Sequence, residues 1–424
     1  MTAELALDLG TTTLAGRLLS PAGEILAEAQ LANPQRELAA DILLRLQLAH
    51  DGAGKNLQAL LIDGLRRLIQ QLCQTAGCRP DEVMASAAAG NPGMSCLLQA
   101  LPVTALLFPP HKPPYKELVH IPVDELDLGL SVPLQLFPPI SGFVGGDLLA
   151  ALMDVESSTP FNNSTIQQFN DSTVSPGTLL IDIGTNAELA LWDGRRWWVT
   201  SAAAGPAFEG GNIGAGMILT AGAITDVRLA GDRLRLSVAG GGQPCGLCGS
   251  GLAALVAAAR QGGLIDVGGR ILSPEEVETN LSRYLVKQGD SWAICFHRSA
   301  AGELLLTQTD LRNFQLAKGA VHAGVEVLLE RCGIYAKKVP LVLVTGALGT
   351  ALPIEVLKRV ALLPEPMLDK TSFVANGVLA GLQTYLTGSD SQQRLAALMT
   401  TIQPLPLSGT PAFEKHFLAA MQIC

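Results

Sequence analysis

The sequence predicts an α/β protein built from two related halves, and three observations lead there. The pattern apolar–Asp–apolar–Gly–Thr occurs twice, in "LALDLGTTTLAGRLL" from Leu5 and in "LLIDIGTNAELALWDG" from Leu179. Each copy opens a β–turn–β–turn–β plan with period-two alternation, and each is followed by stretches of helical spacing. Strands alternating with helices in both halves point to the α/β class.

Taken in order, Leu5, Leu7 and Leu9 alternate with small or polar residues as a strand does. Gly10 to Thr13 makes a tight turn, and a second strand runs to about Leu19. Ser20-Pro21-Ala22-Gly23 has type I turn chemistry ahead of a third strand, Glu24 to Ala29. Leu57, Leu60, Leu61, Leu65, Leu68, Ile69 and Leu72 follow helical spacing, with Gly77 as the stop. Pro102 to Pro139 holds nine prolines and is expected to be largely extended. The polar, Ser/Thr/Asn-rich stretch Asp154 to Gly177 reads as a flexible linker between a first half, 1–153, and a second, 178–424.

The second copy repeats the plan. Leu179 to Ile183 is a strand, Gly184-Thr185-Asn186 a turn, and a second strand reaches Trp192. A hairpin turn at Asp193-Gly194 leads to a third strand, Arg196 to Thr200, in which one of Trp197 and Trp198 faces the core. Helices are expected over Leu252–Arg260 and from an N-cap at Asp310 through Phe314, Val321, Val325 and Leu328 to Gly333. Strand Leu341–Val344 then leads into "TGALGT" and a further helix.

At 424 residues, 48% hydrophobic and 16% charged, the chain can bury two or three cores. A net charge of −9 argues against nucleic acid as the main partner. No run of about eighteen uncharged apolar residues and no basic-then-apolar start occurs, so neither membrane nor leader is expected, and the location expected is cytoplasmic. Eight cysteines are too sparse for a disulfide scaffold. The scattered histidines make no zinc-ligand spacing.

A strand–turn–strand carrying Gly10, Thr11, Thr12 and Thr13 gathers backbone N–H groups and hydroxyls into one concavity, suited to phosphate oxygens. Gly184, Thr185 and Asn186 do the same in the second copy. Asp8 and Asp182 point the same way, and bare carboxylates would repel a polyphosphate, so a divalent cation is implied. Mg2+ fits, being hard and held by one or two carboxylates plus phosphates and water. Turn chemistry alone could explain either copy. Two copies with matching flanks favour a pair of hairpins clamping a nucleotide in a cleft. Other phosphate-binding signatures, the P-loop and the Gly-x-Gly-x-x-Gly between strand and helix, are missing from the sequence.

Paired Asp-x-Gly-Thr hairpins resemble the superfamily of acetate and sugar kinases, heat-shock chaperones and actin. The chain is more specifically similar to the reductive activators of corrinoid proteins, in their middle and C-terminal actin-like domains. The phrases that carry the likeness run in order along the chain: "NPQRELAADILLRL" (Asn33–Leu46), "AAGNPGM" (Ala88–Met94), "PPISGFVGGD" (Pro138–Asp147), "DIGTNAE" (Asp182–Glu188), "AAGPAFEGGNIGAGM" (Ala203–Met217), "CGSGL" (Cys248–Leu252), "TQTDLRNFQLAKGA" (Thr307–Ala320) and "ANGVLAGL" (Ala375–Leu382).

The resemblance implies an actin-like ATPase with two ribonuclease-H-like halves around a nucleotide cleft, using ATP and Mg2+, with Asp8 and Asp182 as catalytic and metal-binding residues. It implies a first connecting helix starting within Ser141–Asp147, with Asp147 as the water-orienting or base residue and Glu188 as second choice. Thr345 to Gly349 resembles the adenosine loop through Gly346 and Gly349, but Ala347 and Leu348 stand where consecutive glycines are usual. Ala375–Gly381 resembles a second connecting helix whose small residues allow close crossing. Glu209 is placed to reach a ribose hydroxyl or to cap nearby N–H groups. Lys318 is either a nucleotide contact or a solvated helix lysine.

By the same resemblance the partner is a corrinoid protein whose cobalt is returned from Co(II) to Co(I). Such activators carry a [2Fe–2S] ferredoxin-like domain. The first hairpin here begins at residue 4 and no Cys-x₄-Cys-x₂-Cys occurs, so no iron–sulfur cluster is expected on this chain and a separate electron donor is. Cys245-x-x-Cys248 could be a redox pair or half of a shared cluster; a tight turn into the next helix is the favoured role. The same hairpins also suit a small-molecule kinase, with Asp147 as base, or a non-catalytic nucleotide-dependent binding protein. A homodimer is compatible with the sequence.

Overall fold

Leu5, Leu7 and Leu9 share one face of β1 (Ala3–Leu9) because a strand alternates, and all three are fully buried. With β2 (Thr13–Leu19) and β3 (Ile25–Ala32) this strand forms an antiparallel meander, and β4 (Val83–Gly90) lies parallel to it. β5 (Val119–Ile121) and β6 (Leu134–Leu136) complete a sheet ordered β3-β2-β1-β4-β6-β5. The computed structural model describes residues 2–157, 174–300, 302–346, 348 and 352–424. Its contacts divide the chain into a first unit, Met1–Pro176 with Gly194–Thr200 and Asn376–Leu405, and a second, Gly177–Asp193 with Ser201–Ala375 and Pro406–Cys424.

In the first unit, α1 (Ile42–Leu48) precedes the long α2 (Gly54–Ala76), which buries Leu57, Leu61, Leu65, Leu68 and Leu72 in the same core as the β1 leucines. Burying one leucine stabilises by about 2 kcal/mol, so this periodic face, rather than helix propensity, holds α2 in place. Gly16, opposite Leu7, leaves no room for a Cβ, which would lie 2.8 Å from Leu72 Cδ1; the glycine lets the helix sit close. α3 (Pro92–Leu98) starts at an Asn91 N-cap, and α4 is Gly146–Ser157. The proline-rich stretch is not simply extended. It holds helical turns at Thr104–Leu107 and Val123–Leu126 as well as β5 and β6. A proline such as Pro122 starts a turn at no cost there, because no N–H is needed at that position. Of the stretch expected as a linker, residues up to Ser157 continue α4, and 158–173 lie outside the described residues.

The second half of the chain repeats the meander with β7 (Leu179–Ile183), β8 (Ala187–Trp192) and β9 (Trp197–Ala202). β10 (Ala223–Ala230), β11 (Arg233–Val238) and β12 (Gly246–Leu247) form a small sheet covered by α5 (Gly249–Gln261). β13 (Leu285–Gln288), β14 (Ser291–Ser299) and β15 (Gly302–Leu306) form another. Then come α6 (Gln308–Cys332), β16 (Val342–Gly346) and β17 (Thr371–Phe373). With β18 (Ile402–Pro404) the larger sheet reads β17-β16-β7-β8-β9-β18. Both six-stranded sheets therefore share one plan, three meander strands and then a parallel strand beside the first. That is the duplication expected of an actin-like α/β fold.

A helix at Ile354–Val360 follows β16, as expected after "TGALGT", and three more complete the described chain: α7 (Gly377–Thr387) and α8 (Ser391–Thr401) in the first unit, and α9 (Pro411–Ala419) in the second. α7 crosses α4 at Gly381, where a Cβ would overlap the Ala150 carbonyl oxygen. The small residues expected to allow a close crossing do so here. The start of α6 differs from expectation, because Thr307, not Asp310, is the N-cap. The two form a capping box, with Thr307 Oγ1 accepting from the Asp310 N–H and Asp310 Oδ2 accepting from the Thr307 N–H. α5 likewise begins at Gly249, earlier than the Leu252 expected.

Candidate functional site

In the first unit, β1 delivers Asp8 near its C-terminal end, level with Ala15 of β2 and Ala89 of β4. Gly10 opens the turn, and a Cβ there would overlap the Thr13 carbonyl oxygen. Thr11 and Thr12 are buried, and Thr13 is half-buried. Two asparagines hold the turn in shape. Asn33 Nδ2 donates to the Gly10 carbonyl at 2.9 Å, and the Asn33 N–H to the Thr12 carbonyl at 2.9 Å. Asn91 Nδ2 donates to Thr11 Oγ1 at 2.9 Å, while its Oδ1 accepts from the Met94 N–H at 2.9 Å and so caps α3.

Behind Asn33, fully buried Arg45 donates to Gln35 Oε1 and to the Ala39 carbonyl, both at 3.0 Å. Sequence reasoning gave Asn33, Arg45 and Asn91 no role. The Asn-Pro pairs at Asn33-Pro34 and Asn91-Pro92, an N-cap followed by an N1 proline, were the available signal.

Asp147 is the second residue of α4, and its Oδ1 accepts from the Leu148 N–H at 2.8 Å. A Cβ at Gly145 would press against the Gly90 carbonyl, Asn91 and Asp147 Oδ1, so this carboxylate sits by the end of β4 that also carries Asn91. The residue keeps part of its surface exposed, yet burial pushes its carboxyl up to about 6. The N–H groups of Leu148 and of Asp147 itself pull the other way and lose. Ser141 Oγ accepts from the Val144 and Phe143 N–H groups, shaping the approach to the helix.

In the second unit, the Gly184 N–H donates to the Asn186 carbonyl at 2.8 Å, closing the second turn. Asp182 lies level with Glu188 on β8 and Thr345 on β16. Gly346 has φ +90°, and a Cβ there would overlap the Ile183 carbonyl and Asp182 Oδ1. The turn aspartate and the expected adenosine-loop glycine are thus neighbours. Gly349 and Ala347 lie outside the described residues.

Thr185 Oγ1 donates to Glu209 Oε2, joining the second turn to the 3₁₀ turn Pro206–Glu209. Buried Glu188 accepts from Ser201 Oγ at 3.1 Å. The glycine-rich segment after Glu209 folds back on itself, since a Cβ at Gly216 would overlap the Gly210 carbonyl. Asp310 Oδ1 accepts from the Gly214 N–H at 2.8 Å and pins that segment to α6.

Lys318 is fully buried rather than solvated, and its Nζ donates to the Gln422 carbonyl of the chain's last residues. Burial pulls its ammonium down to about 8, partly offset by attraction to Cys424. Cys245 and Cys248 flank the strand β12. Three extended residues span about 10 Å, beyond the roughly 7 Å Cα separation a disulfide can bridge. Cys245 is exposed, whereas buried Cys248 donates to the Ile224 carbonyl at 3.2 Å. Gly249 next to it leaves no room for a Cβ against the Phe208 carbonyl, so "CGSG" supports the Glu209 segment from beneath.

Among the described residues, no group of three or more His, Cys, Asp or Glu side chains is arranged to hold a metal, and no helix is long and apolar enough to cross a membrane. What the two hairpins offer is a set of hard oxygen donors and small, tightly packed turns.

Comparison with known proteins places both halves. The family described as the RACo middle region matches residues 3–158, and the family described as the C-terminal domain of RACo, the ASKHA domain, matches residues 177–424. The corrinoid activation enzyme RamQ of Eubacterium limosum is 26% identical over 431 residues, which cover 98% of this chain and 69% of that protein. The [Co(II) methylated amine-specific corrinoid protein] reductase of Methanosarcina barkeri is 27% identical over 256 residues, covering 54% of this chain and 39% of the other. A solved structure, the reductive activator for corrinoid, iron–sulfur protein, superposes with a TM-score of 0.88 at 26% identity over all of this chain and 66% of its own. The chain thus spans at most about two thirds of the length of these relatives.

Proposed function

The chain belongs to the RACo family, through both its middle region and its ASKHA domain, and from that premise we propose that it is an ATPase that reactivates a corrinoid protein. In this reading it binds and hydrolyses ATP with Mg2+, and the nucleotide cycle is coupled to returning a partner's cobalt from Co(II) to Co(I). Electrons come from a separate donor. The observation that carries the nucleotide part is the packing of Gly346 against Asp182, because it joins a phosphate turn to an adenosine-loop position within one unit.

Each residue then has a task. Gly10 to Thr13 and Gly184 to Asn186 would meet phosphate oxygens with N–H groups and hydroxyls, turns that Asn33, Asn91 and Glu209 hold open. The donor set fits Mg2+: Asp8 and Asp182 are single hard carboxylates beside phosphate-binding turns, as expected of an ion that takes its other ligands from phosphate and water. Bound with the nucleotide, it would supply positive charge against the γ-phosphate. Asp147 would orient the attacking water and accept its proton, and Glu209 would take a ribose hydroxyl.

The reduction of Co(II) to Co(I) is unfavourable. A nucleotide-dependent change in how the partner is bound can shift it only by the difference in affinity between the two states, typically a few kcal/mol. Purified chain incubated with MgATP tests the first step by release of ADP and free phosphate. Release that rises on adding a Co(II) corrinoid protein supports the proposal; ATP turnover dependent on a small metabolite instead would replace it with a kinase.

A further inference from the structure

The sequence motif that suggests a thiol pair does not make one, whereas two cysteines five residues apart are brought to one helix end and one apolar cluster. α2 ends in a Schellman motif. The Cys78 N–H donates to the Cys73 carbonyl at 3.0 Å and the Gly77 N–H to the Gln74 carbonyl at 3.4 Å, with Gly77 at φ +69°. That geometry turns the side chains at its two ends, here Cys73 and Cys78, toward each other. The two side chains pack into one apolar cluster. Cys73 is 2% exposed in the core under α2, and Cys78 packs half-buried at the edge of the same core. Both are free, and Glu82 is the carboxylate that acts on Cys73 from the following turn.

We propose that Cys73 and Cys78 are a reversible dithiol–disulfide pair that reacts with low-molecular-weight disulfides such as oxidised glutathione and locks the end of α2. Half-buried Cys78 reacts first. Its thiolate attacks one sulfur of the small disulfide, forming a mixed disulfide and expelling one small thiolate. Cys73 then loses its proton to solvent, attacks Cys78 Sγ and expels the second. Two protein thiols are oxidised, and one small disulfide is reduced to two thiols. Burial, together with Cys78 and Glu82, pushes the Cys73 thiol up to about 12. The part due to Cys78 disappears once that sulfur is in the mixed disulfide, so order of attack and geometry agree.

The test is to incubate the full chain with oxidised glutathione, alkylate the remaining thiols, and map the products by peptide mass. The expected product is an intramolecular Cys73–Cys78 disulfide, reversed by dithiothreitol, formed unchanged in Cys245→Ala and lost in Cys78→Ser. Because Cys78 lies at the core's edge, the latter is expected to fold, which circular dichroism checks. A stable glutathione adduct on Cys78 with Cys73 still alkylatable after unfolding would overturn the proposal. So would recovery of both cysteines as thiols in the wild-type chain, which needs no variant to interpret.

Discussion

At Gly346 the backbone adopts φ +90°, and a side chain would run into Asp182 and the Ile183 carbonyl, so conformation and space both require glycine. Gly346→Ala is expected to cost about 1–3 kcal/mol in strain and to weaken ATP binding at least tenfold, read by denaturant titration and by nucleotide titration. Asp8→Ala and Asp182→Ala are expected to lower phosphate release by about 100-fold with the fold intact. Asp147 gives a pH dependence with a definite sign. Its carboxyl is raised from 3.8 to about 6, so between those values the folded chain holds a proton that the unfolded chain has released. Stability therefore falls as pH rises through that window, and the cost is fully present above it. ATP turnover moves oppositely, declining as pH drops through about 6 and the base is protonated. Asp147→Asn is expected to abolish both trends, measured by pH–rate profiles and by denaturation at several pH values.

Among the elements, the hairpins were legible because alternation and Gly/Thr turn chemistry are local signals, and Leu5 through Leu19 needs no distant partner to read as strand–turn–strand. The α6 start misled for a local reason too: Thr307 and Asp310 are both good cap residues, and only the reciprocal bonds of the box decide between them. Thr307→Ala is expected to cost about 1 kcal/mol. Asp310→Ala is expected to cost more, because it also strips the Gly214 N–H of its acceptor. Cys245-x-x-Cys248 looked like a pair only as a string, since spacing says nothing of the strand that holds the two sulfurs apart. The crossing of α7 and α4 leaves no room for a Cβ at Gly381. Gly381→Ala should cost about 1–3 kcal/mol by overpacking, seen as a lower denaturation midpoint with nucleotide absent.

On the scale of the whole molecule, duplication is the main fact: two sheets sharing a three-strand meander with a parallel strand beside its first strand, each with an Asp-x-Gly-Thr turn after that first strand. That much followed from the repeat in the sequence. The return of residues 376–405 to the first unit had no local signature, because such contacts join positions hundreds of residues apart, as Arg17 and Gln383 do at 2.7 Å. The proposed function gives the duplicated turns a purpose, in which ATP would be the ligand and a corrinoid protein the client.

The most direct measurement follows the client's cobalt by absorbance. Co(II) corrinoid protein, a low-potential electron donor and this chain would be mixed with and without MgATP, using wild type and Asp182→Ala. Co(I) should form only with wild type and ATP, at a rate that tracks ADP release. Equal Co(I) formation without ATP, or with Asp182→Ala, would contradict a nucleotide-driven activator.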